Sequence, residues 1–138
     1  MNGSPNLYGR STMPKALYAL GDADNIRRRI EGMLLSDNLQ ALGEFSVAIS
    51  TAIQTLGDHA KQALGADIIF CGGDDILFLV KPANFNQHKL KVLMKEFAER
   101  TGSTISFGVG NSAEEAFLNL ARAKSAGSGT LIVDRALA

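Results

Sequence analysis

The stretch DIIFCGGDDILFLV, residues 67–80, decides the fold of this chain. Two β-rich runs, 67–71 and 76–80, flank a turn in which two glycines precede Asp74 and Asp75. A strand, a glycine-containing turn and a second strand are typical of a β-hairpin, and Pro82 ends the second run. The sequence therefore predicts a hairpin that carries two carboxylates at its tip.

Periodic patterns on both sides of the hairpin predict the remaining elements. Apolar residues at helical spacing indicate four helices, and short β-rich or alternating runs indicate three further strands. In chain order we predict a strand at 15–20 that ends at Gly21, helices from Ile26 to Leu34 and from Phe45 to Leu64, the hairpin, a helix over 90–97 closed by Gly102, a strand at 103–109, a helix over 113–126 and a strand at 130–133. The last helix is expected to turn Phe117, Leu120 and Ala121 inward.

The order of these elements is β-α-α-β-β-α-β-α-β, and its middle is the split βαβ arrangement of ferredoxin-like folds. The predicted class is therefore α+β, a mostly antiparallel sheet of about five strands with helices covering one face. A chain of 138 residues fits one domain, which we place at residues 15–138. Residues 1–14 are rich in Gly, Ser, Asn and Pro, and we expect a flexible leader or a remnant of the expression vector, with Met13 as a candidate start.

Composition narrows the function. The chain has 14 basic and 14 acidic residues, whereas a protein that grips long nucleic acid usually has a basic excess. We therefore expect a small ligand rather than a long nucleic acid. No apolar run reaches the ~18–20 residues of a membrane helix, and no signal peptide is visible, so we expect a cytoplasmic protein with no membrane partner. Cys71 is the single cysteine, which excludes an internal disulfide, and we expect a small buried side chain there.

Two acidic clusters lie at predicted strand ends. Asp22 and Asp24 follow the first strand, and Asp74 and Asp75 form the hairpin tip. In a ferredoxin-like sheet the first strand lies beside the hairpin, so the clusters should meet in space. Carboxylates crowded together repel unless a cation lies between them, and oxygen ligands of this kind suit Mg²⁺ or Mn²⁺. Two such ions can clamp the attacking and leaving oxygens of a displacement at phosphorus.

Simpler interpretations exist for each cluster. Asp24 is equally well explained as the cap of the first helix, and Gly72-Gly73-Asp74-Asp75 as ordinary turn chemistry. Neighbours on a regular strand also point to opposite faces, so Asp74 and Asp75 can both face a metal only if the turn distorts the strand.

Candidate phosphate-binding groups lie on two helices. Lys124 follows Phe117 and Leu120 on the stripe assigned to the core, where a lysine must reach solvent or find an anion; the alternative is a cation that favours the helix dipole. The first helix begins at residues 25–28, where free backbone N–H groups suit a triphosphate. Of Arg27, Arg28 and Arg29, at most two could reach that ligand, because they point in three directions. His59 and His88 have no partners at metal-ligand spacing and are expected to be ordinary residues.

Four segments together resemble GGDEF-like palm domains. They are Gly21-Asp22-Ala23-Asp24-Asn25-Ile26, Gly72-Gly73-Asp74-Asp75, Ile105-Ser106-Phe107-Gly108-Val109 and Ala121-Arg122-Ala123-Lys124. The chain is most similar to the minimal CRISPR polymerase (mCpol) family, over residues 15–134. The resemblance implies antiviral defence and synthesis of cyclic oligonucleotides from nucleoside triphosphates, and it relates the chain to the cyclase palm of the type III CRISPR large subunit.

The resemblance also implies roles for individual residues. Asp22 and Asp74 correspond to metal ligands with the Ala23 carbonyl as a third, Asp75 to a ligand or to the acceptor of the attacking hydroxyl's proton, and Lys124 to a lysine that touches the triphosphate. We therefore predict Asp22, Asp74 and Asp75 as catalytic, the same three with Ala23 as the metal site, and a nucleotide site made of Ala23, Asp24, Asn25, Arg28, Gly72, Gly73 and Lys124.

Departures from the diguanylate cyclases favour another base. Phe70-Cys71 precedes the glycines where those enzymes carry an aromatic or basic pair, Ile76 follows Asp75 in place of Phe after an acidic residue, and no Arg-x-x-Asp motif lies upstream. The implied substrate is ATP rather than GTP, and the implied product is a cyclic di- or oligoadenylate read by a separate effector. Because one palm holds one triphosphate, we expect a homodimer or larger assembly. The alternatives are a palm that binds nucleotides without turnover and a fragment of a template-dependent polymerase.

Overall fold

The computed structural model describes residues 15–134, so the leader expected at 1–14 and the last four residues lie outside the described part. The elements follow the predicted β-α-α-β-β-α-β-α-β order. They are β1 Leu17–Ala23, α1 Ile26–Leu35, α2 Leu39–Leu64, β2 Asp67–Cys71, β3 Asp75–Val80, a 3₁₀ turn Pro82–Asn84, α3 Gln87–Thr101, β4 Ile105–Gly110, α4 Ala113–Ala126 and β5 Leu131–Val133. None of the helices within 15–134 is long and apolar enough to cross a membrane.

The five strands form one sheet in the order β2-β3-β1-β4-β5. β1 is central and pairs antiparallel with β3 and β4, β2 pairs antiparallel with β3, and β5 runs parallel to β4. The predicted α+β class with a mostly antiparallel five-stranded sheet is confirmed. The hairpin β2–β3 lies directly beside β1. The acidic residues at the hairpin tip can therefore meet those at the end of β1.

Helices pack on both faces of the sheet, which corrects the expectation of a single covered face. On one face Ile76, Phe78 and Phe107 are fully buried in the core with α2 and α3. Neighbours along a strand point to opposite faces, so Gly108 turns the other way, and α4 lies against it there. The covering of β4 by helices on both sides explains why all six of its residues are buried.

The inward face of α4 also differs from the prediction. Phe117 is 62% exposed and Ala121 is exposed, whereas Ala116, Asn119 and Ala123 are buried. A Cβ on Gly108 would lie 2.1 Å from the Leu120 nitrogen and 2.3 Å from the Ala116 oxygen. The helix backbone therefore rests on the strand backbone, and only small inward side chains fit between them.

The first strand is longer than its sequence pattern suggested, because it continues through Gly21 to Ala23. A Cβ on Gly21 would lie 2.4 Å from the tip of the Phe107 ring, its neighbour on β4. The glycine therefore makes room for an aromatic ring rather than ending the strand. As a consequence Asp22 belongs to the sheet, and its position is fixed by strand pairing.

Candidate metal and nucleotide site

Strand register places two of the predicted carboxylates opposite each other. Asp22 on β1 pairs with Asp75 on β3, so both side chains project from the same face. Like charges directly opposite each other in a sheet are destabilising. A cation near this pair would offset the repulsion.

The turn brings the third carboxylate to the same place. β3 begins at Asp75, so Asp74 belongs to the turn and not to the regular strand. The Ala23 N–H donates to the Asp74 carbonyl (2.9 Å), and the Gly72 N–H donates to the Asp75 carbonyl (2.8 Å). This geometry frees Asp74 from the alternation of a strand, which resolves the difficulty of two neighbours facing one ion.

Asp22, Asp74 and Asp75 each offer one carboxylate oxygen, and these oxygens lie within 4.8 Å of one another. The donor set is purely carboxylate, which is the chemistry that Mg²⁺ and Mn²⁺ prefer. Burial raises the pKa of Asp22 above its ordinary value, and the charges of Asp74 and Asp24 raise it further, while Lys124 offsets part of the effect. The cluster is therefore consistent with a divalent metal site.

Asp24 has a different environment, although it lies two residues from Asp22. Its carboxylate is 5% exposed and accepts hydrogen bonds from four sources. These are the Thr104 hydroxyl (2.7 Å), the Ser106 hydroxyl (2.9 Å), the Gly129 N–H (2.7 Å) and the Lys124 ammonium (2.7 Å). Burial alone would raise the pKa of Asp24, but these donors hold it below its ordinary value. Asp24 therefore binds the protein's own groups, and its predicted contact with nucleotide stays a prediction.

The helix-cap interpretation of Asp24 is wrong. The residue before α1 is Asn25, which has φ 60° and makes no side-chain capping bond. Its side chain instead donates to the Ser128 hydroxyl at 3.3 Å. The first helical hydrogen bond runs from Arg29 N–H to the Asn25 carbonyl, so the N–H groups at residues 26–28 have no partner within the helix.

Lys124 joins the two carboxylates of β1. Its ammonium lies 3.0 Å from the Asp22 carboxylate and 2.7 Å from that of Asp24. It also donates to the main-chain carbonyls of Asp22 (2.9 Å) and Ala23 (3.1 Å). As the sequence indicated, Lys124 contacts anions, and these anions are the carboxylates of Asp22 and Asp24. The metal role of the Ala23 carbonyl and the triphosphate contact of Lys124 stay predictions.

Of the three consecutive arginines, Arg29 makes contacts that stabilise the fold. Arg29 lies over the Phe45 ring at 4.3 Å and donates to the Ser103 hydroxyl. Arg27 and Arg28 are exposed. Arg28 is free of that structural role, and its nucleotide contact stays a prediction, as do those of Gly72 and Gly73.

A feature that sequence reasoning missed is an apolar cleft beside the carboxylates. It has a volume of about 190 Å³ and lies between α1, α2 and the hairpin turn. Its lining comprises Ile26, Ile30, Phe45, Ser46, Ile49, Ser50, Gly73 and Asp74. The helical spacing of its apolar residues predicts core positions for them, and so does not reveal a cleft. The available signal was the pair Ser46 and Ser50, one helical turn apart and next to a core position.

His59 and Cys71, for which the sequence predicts no functional role, lie in different surroundings. His59 Nδ1 lies 3.1 Å from the Glu96 carboxylate, in a contact between α2 and α3. Cys71 is exposed at the end of β2, not buried as expected, because β2 is an edge strand. Partial burial of the sulfur and the charges of Asp58 and Asp75 raise the pKa of the Cys71 thiol, which opposes reactivity.

A mostly antiparallel sheet with carboxylates at the end of its central strand and at the tip of the adjoining hairpin defines a palm domain of the polymerase and cyclase class. The chain belongs to the mCpol family, the minimal CRISPR polymerase domain, whose model matches residues 18–133. The predicted family is thereby confirmed.

Solved structures of low sequence identity share the fold. A chain of the Csm1–Csm4 cassette in complex with cA4 superposes with a TM-score of 0.70 at 17% identity, over 88% of this chain and 21% of that one. The cassette in complex with AMPPNP gives 0.68 at 17%, over 85% and 20%. The active GGEEF domain of a diguanylate cyclase from Vibrio cholerae gives 0.51 at 12%, over 88% and 84%.

The chain spans about a fifth of the length of the Csm1–Csm4 cassette chains that it matches. No curated protein matches it.

Proposed function

We propose that this domain is a metal-dependent nucleotidyltransferase that joins nucleoside triphosphates, ATP in preference, into a cyclic oligonucleotide with release of pyrophosphate. The observation that carries the proposal is the carboxylate cluster of Asp22, Asp74 and Asp75, within 4.8 Å, on a palm sheet. Family membership supports the class of reaction. The AMPPNP and cA4 complexes of the structurally similar cassettes motivate the choice of adenine.

In this reaction a ribose hydroxyl of one nucleotide attacks the α-phosphorus of another. The bond from that phosphorus to the oxygen bridging the β-phosphate breaks, and pyrophosphate leaves with the electron pair. Asp22, Asp74 and Asp75 would hold divalent metal, which supplies neutralisation of the charge on the phosphoryl oxygens. Asp75 projects from the open sheet face beside Asp22, so it would serve either as a metal ligand or as the acceptor of the hydroxyl proton.

The surroundings of the cluster suit the rest of a nucleotide. The apolar cleft lined by Ile26, Ile30 and Phe45 reaches Asp74, and it is a natural place for the base of the triphosphate donor. The hydroxyls of Ser46 and Ser50 in the same lining can hydrogen-bond a base edge. The N–H groups at the start of α1, which have no partner within the helix, favour the negatively charged phosphates, and Arg28 is exposed on the same turn.

Each cluster activates one triphosphate as the donor, so two domains face to face would supply both bonds of a ring of two nucleotides. We therefore include a homodimer or larger homo-oligomer in the proposal, together with a separate effector that reads the product. A role in antiviral signalling follows from the family rather than from the site.

The test is to incubate the protein with each of the four NTPs and Mg²⁺ or Mn²⁺, and to resolve products by mass. We expect pyrophosphate and a cyclic adenylate from ATP. Asp74→Ala should abolish both, while Asp67→Ala, an exposed aspartate at the start of the same hairpin, should leave them unchanged. If all four NTPs bind without release of pyrophosphate, the domain is a nucleotide-binding module and the enzyme proposal is wrong.

A further inference from the structure

An exposed aromatic ring lies on the open face of the sheet next to the carboxylates. Phe70 on β2 is 42% exposed. It pairs with Leu77 on β3, which in turn pairs with Leu20 on β1, so the three side chains form one row across the sheet. The helix on this face, α4, packs on β4 and its neighbours β1 and β5, and Leu77 is only half-buried.

The row is one step along the strands from the metal cluster. Asp75 precedes Leu77 by two residues on β3, so it points to the same face. Phe70 and Asp75 are therefore diagonal neighbours of an antiparallel pair, about 7–8 Å apart, a separation that an aromatic side chain can span. A molecule held by Asp75 through a cation would meet the Phe70 ring next.

The two carboxylates of the hairpin tip are adjacent to different apolar surfaces. Asp74 lines the cleft between α1 and α2. Asp75 projects from the open face, beside Phe70. The cluster is thus flanked by an apolar cleft on one side and by the exposed Phe70 ring on the other.

This arrangement matches the needs of a reaction between two nucleotides. The donor needs a cleft that fixes its base and phosphates. The nucleotide that carries the attacking hydroxyl needs a surface that accepts its base and then lets the product go. Aromatic side chains on an open sheet serve that purpose in single-stranded nucleic acid binding, because every base has a face that stacks.

We propose that Phe70 is the stacking platform for the base of the attacking nucleotide. The assignment rests on the proposed function, since it names a second nucleotide subsite of the same carboxylate cluster. In this assignment Phe70 is a residue that binds the nucleotide. Base recognition by stacking is tolerant, so selection of adenine would fall to the donor cleft and not to this ring.

Tryptophan fluorescence tests the contact without turnover. The sequence contains no tryptophan, so Phe70→Trp creates a single reporter at the subsite. Phe117→Trp is the matched control, because Phe117 is an exposed aromatic on α4 outside the site. Each variant is titrated in Mg²⁺ with AMP, which has no pyrophosphate to release, and with ribose 5-phosphate, which has no base.

We expect saturable quenching of the Phe70→Trp emission by AMP, none by ribose 5-phosphate, and no change in the Phe117→Trp protein. Equal quenching of both variants, or none in either, would overturn the proposal. Emission of Phe70→Trp that changes with protein concentration and not with AMP would assign the surface to a second copy of the chain, which also overturns it.

Kinetic measurements on Phe70 variants provide a second test of the proposal. Phe70→Leu should raise the ATP concentration for half-maximal product formation about tenfold, whereas Phe70→Tyr, which keeps the ring, should stay close to the parent protein. An unchanged Phe70→Leu enzyme contradicts the proposal. If the parent protein forms no product, the enzyme proposal fails by itself, and the AMP titration still decides whether a base stacks on residue 70.

Discussion

Asp22 and Asp24 lie two residues apart at the end of one strand, yet the fold uses them in opposite ways. The Asp22 side chain is 36% exposed and faces two other carboxylates, Asp74 and Asp75. Asp24 is 5% exposed and accepts hydrogen bonds from four donors. The pKa of Asp22 is raised and that of Asp24 is lowered, although burial acts on both. The difference comes from the number of donors around each group.

The difference distinguishes a carboxylate that is held by the protein's own donors from one that lies among other carboxylates. Asp24 is saturated by the hydroxyls of Thr104 and Ser106, the Gly129 N–H and Lys124, so it ties together β1, β4 and the loop before β5. Asp22 lies beside the carboxylates of Asp74 and Asp75, and the cation that residues 15–134 supply to it is Lys124, one positive charge beside three negative ones. A carboxylate left in that state can bind a cation at little further cost.

The largest expected effect is on catalysis. Asp22→Asn removes one of the proposed metal ligands, and we expect the rate of pyrophosphate release from ATP to fall about a thousandfold. Asp24→Asn should lower it only about tenfold, because it acts through the position of its neighbours. Initial rates under saturating Mg²⁺ check both values. Equal losses in the two variants would remove the distinction between the residues.

The second effect is on stability, and the order of the two residues reverses. Asp24→Asn leaves Lys124 without its buried partner, and we expect the free energy of unfolding to fall by about 3 kcal/mol. Thr104→Val is a companion variant that removes one donor and should cost about 1 kcal/mol. Urea denaturation measures these values. A parent-like midpoint for Asp24→Asn would mean that the buried network contributes little.

The smallest effect is a difference in pH dependence. The pKa of Asp24 in the folded protein lies below 3.8, so its contribution to stability is complete above that pH and is lost as the pH falls through the folded pKa. The pKa of Asp22 lies above 3.8, so its ionised form opposes folding at neutral pH, and that penalty disappears as the pH falls through the raised pKa.

Asp22→Asn should therefore raise the free energy of unfolding at pH 7 and have no effect well below pH 3.8. Asp24→Asn should show the reverse sign at pH 7 and a shrinking penalty in acid. Urea midpoints of both variants between pH 7 and pH 3 test the signs, and a destabilising Asp22→Asn at pH 7 would contradict this assignment.

The sequence was sufficient for the features that depend on local patterns. Hydrophobic periodicity and turn residues predicted the element order, and strand ends predicted that Asp22 would meet Asp74 and Asp75. The family resemblance added the palm class, which the mCpol match confirms. These features were accessible because each one is encoded in consecutive residues or follows from the topology.

Features that depend on long-range packing were not predictable in this way. The donors to Asp24 come from residues 80 to 105 positions further along the chain, so its burial is invisible locally. The α4 sequence does not show that Phe117 faces outward. The orientation of the helix depends on its close approach to Gly108, which is a long-range contact. The cleft beside Asp74 arises only when α1, α2 and the turn meet.

Binding of Mn²⁺ alone, followed by electron paramagnetic resonance, decides whether the three carboxylates form the metal site; it is measured in the parent protein and in single Asp→Asn variants at positions 22, 24, 74 and 75. We expect the affinity for Mn²⁺ to fall at least about tenfold in the variants at 22, 74 and 75. Folded Asp24→Asn protein should bind like the parent. Loss of binding in Asp24→Asn alone, or parent-like binding in the other three variants, would contradict the claim that Asp22, Asp74 and Asp75 form the metal site.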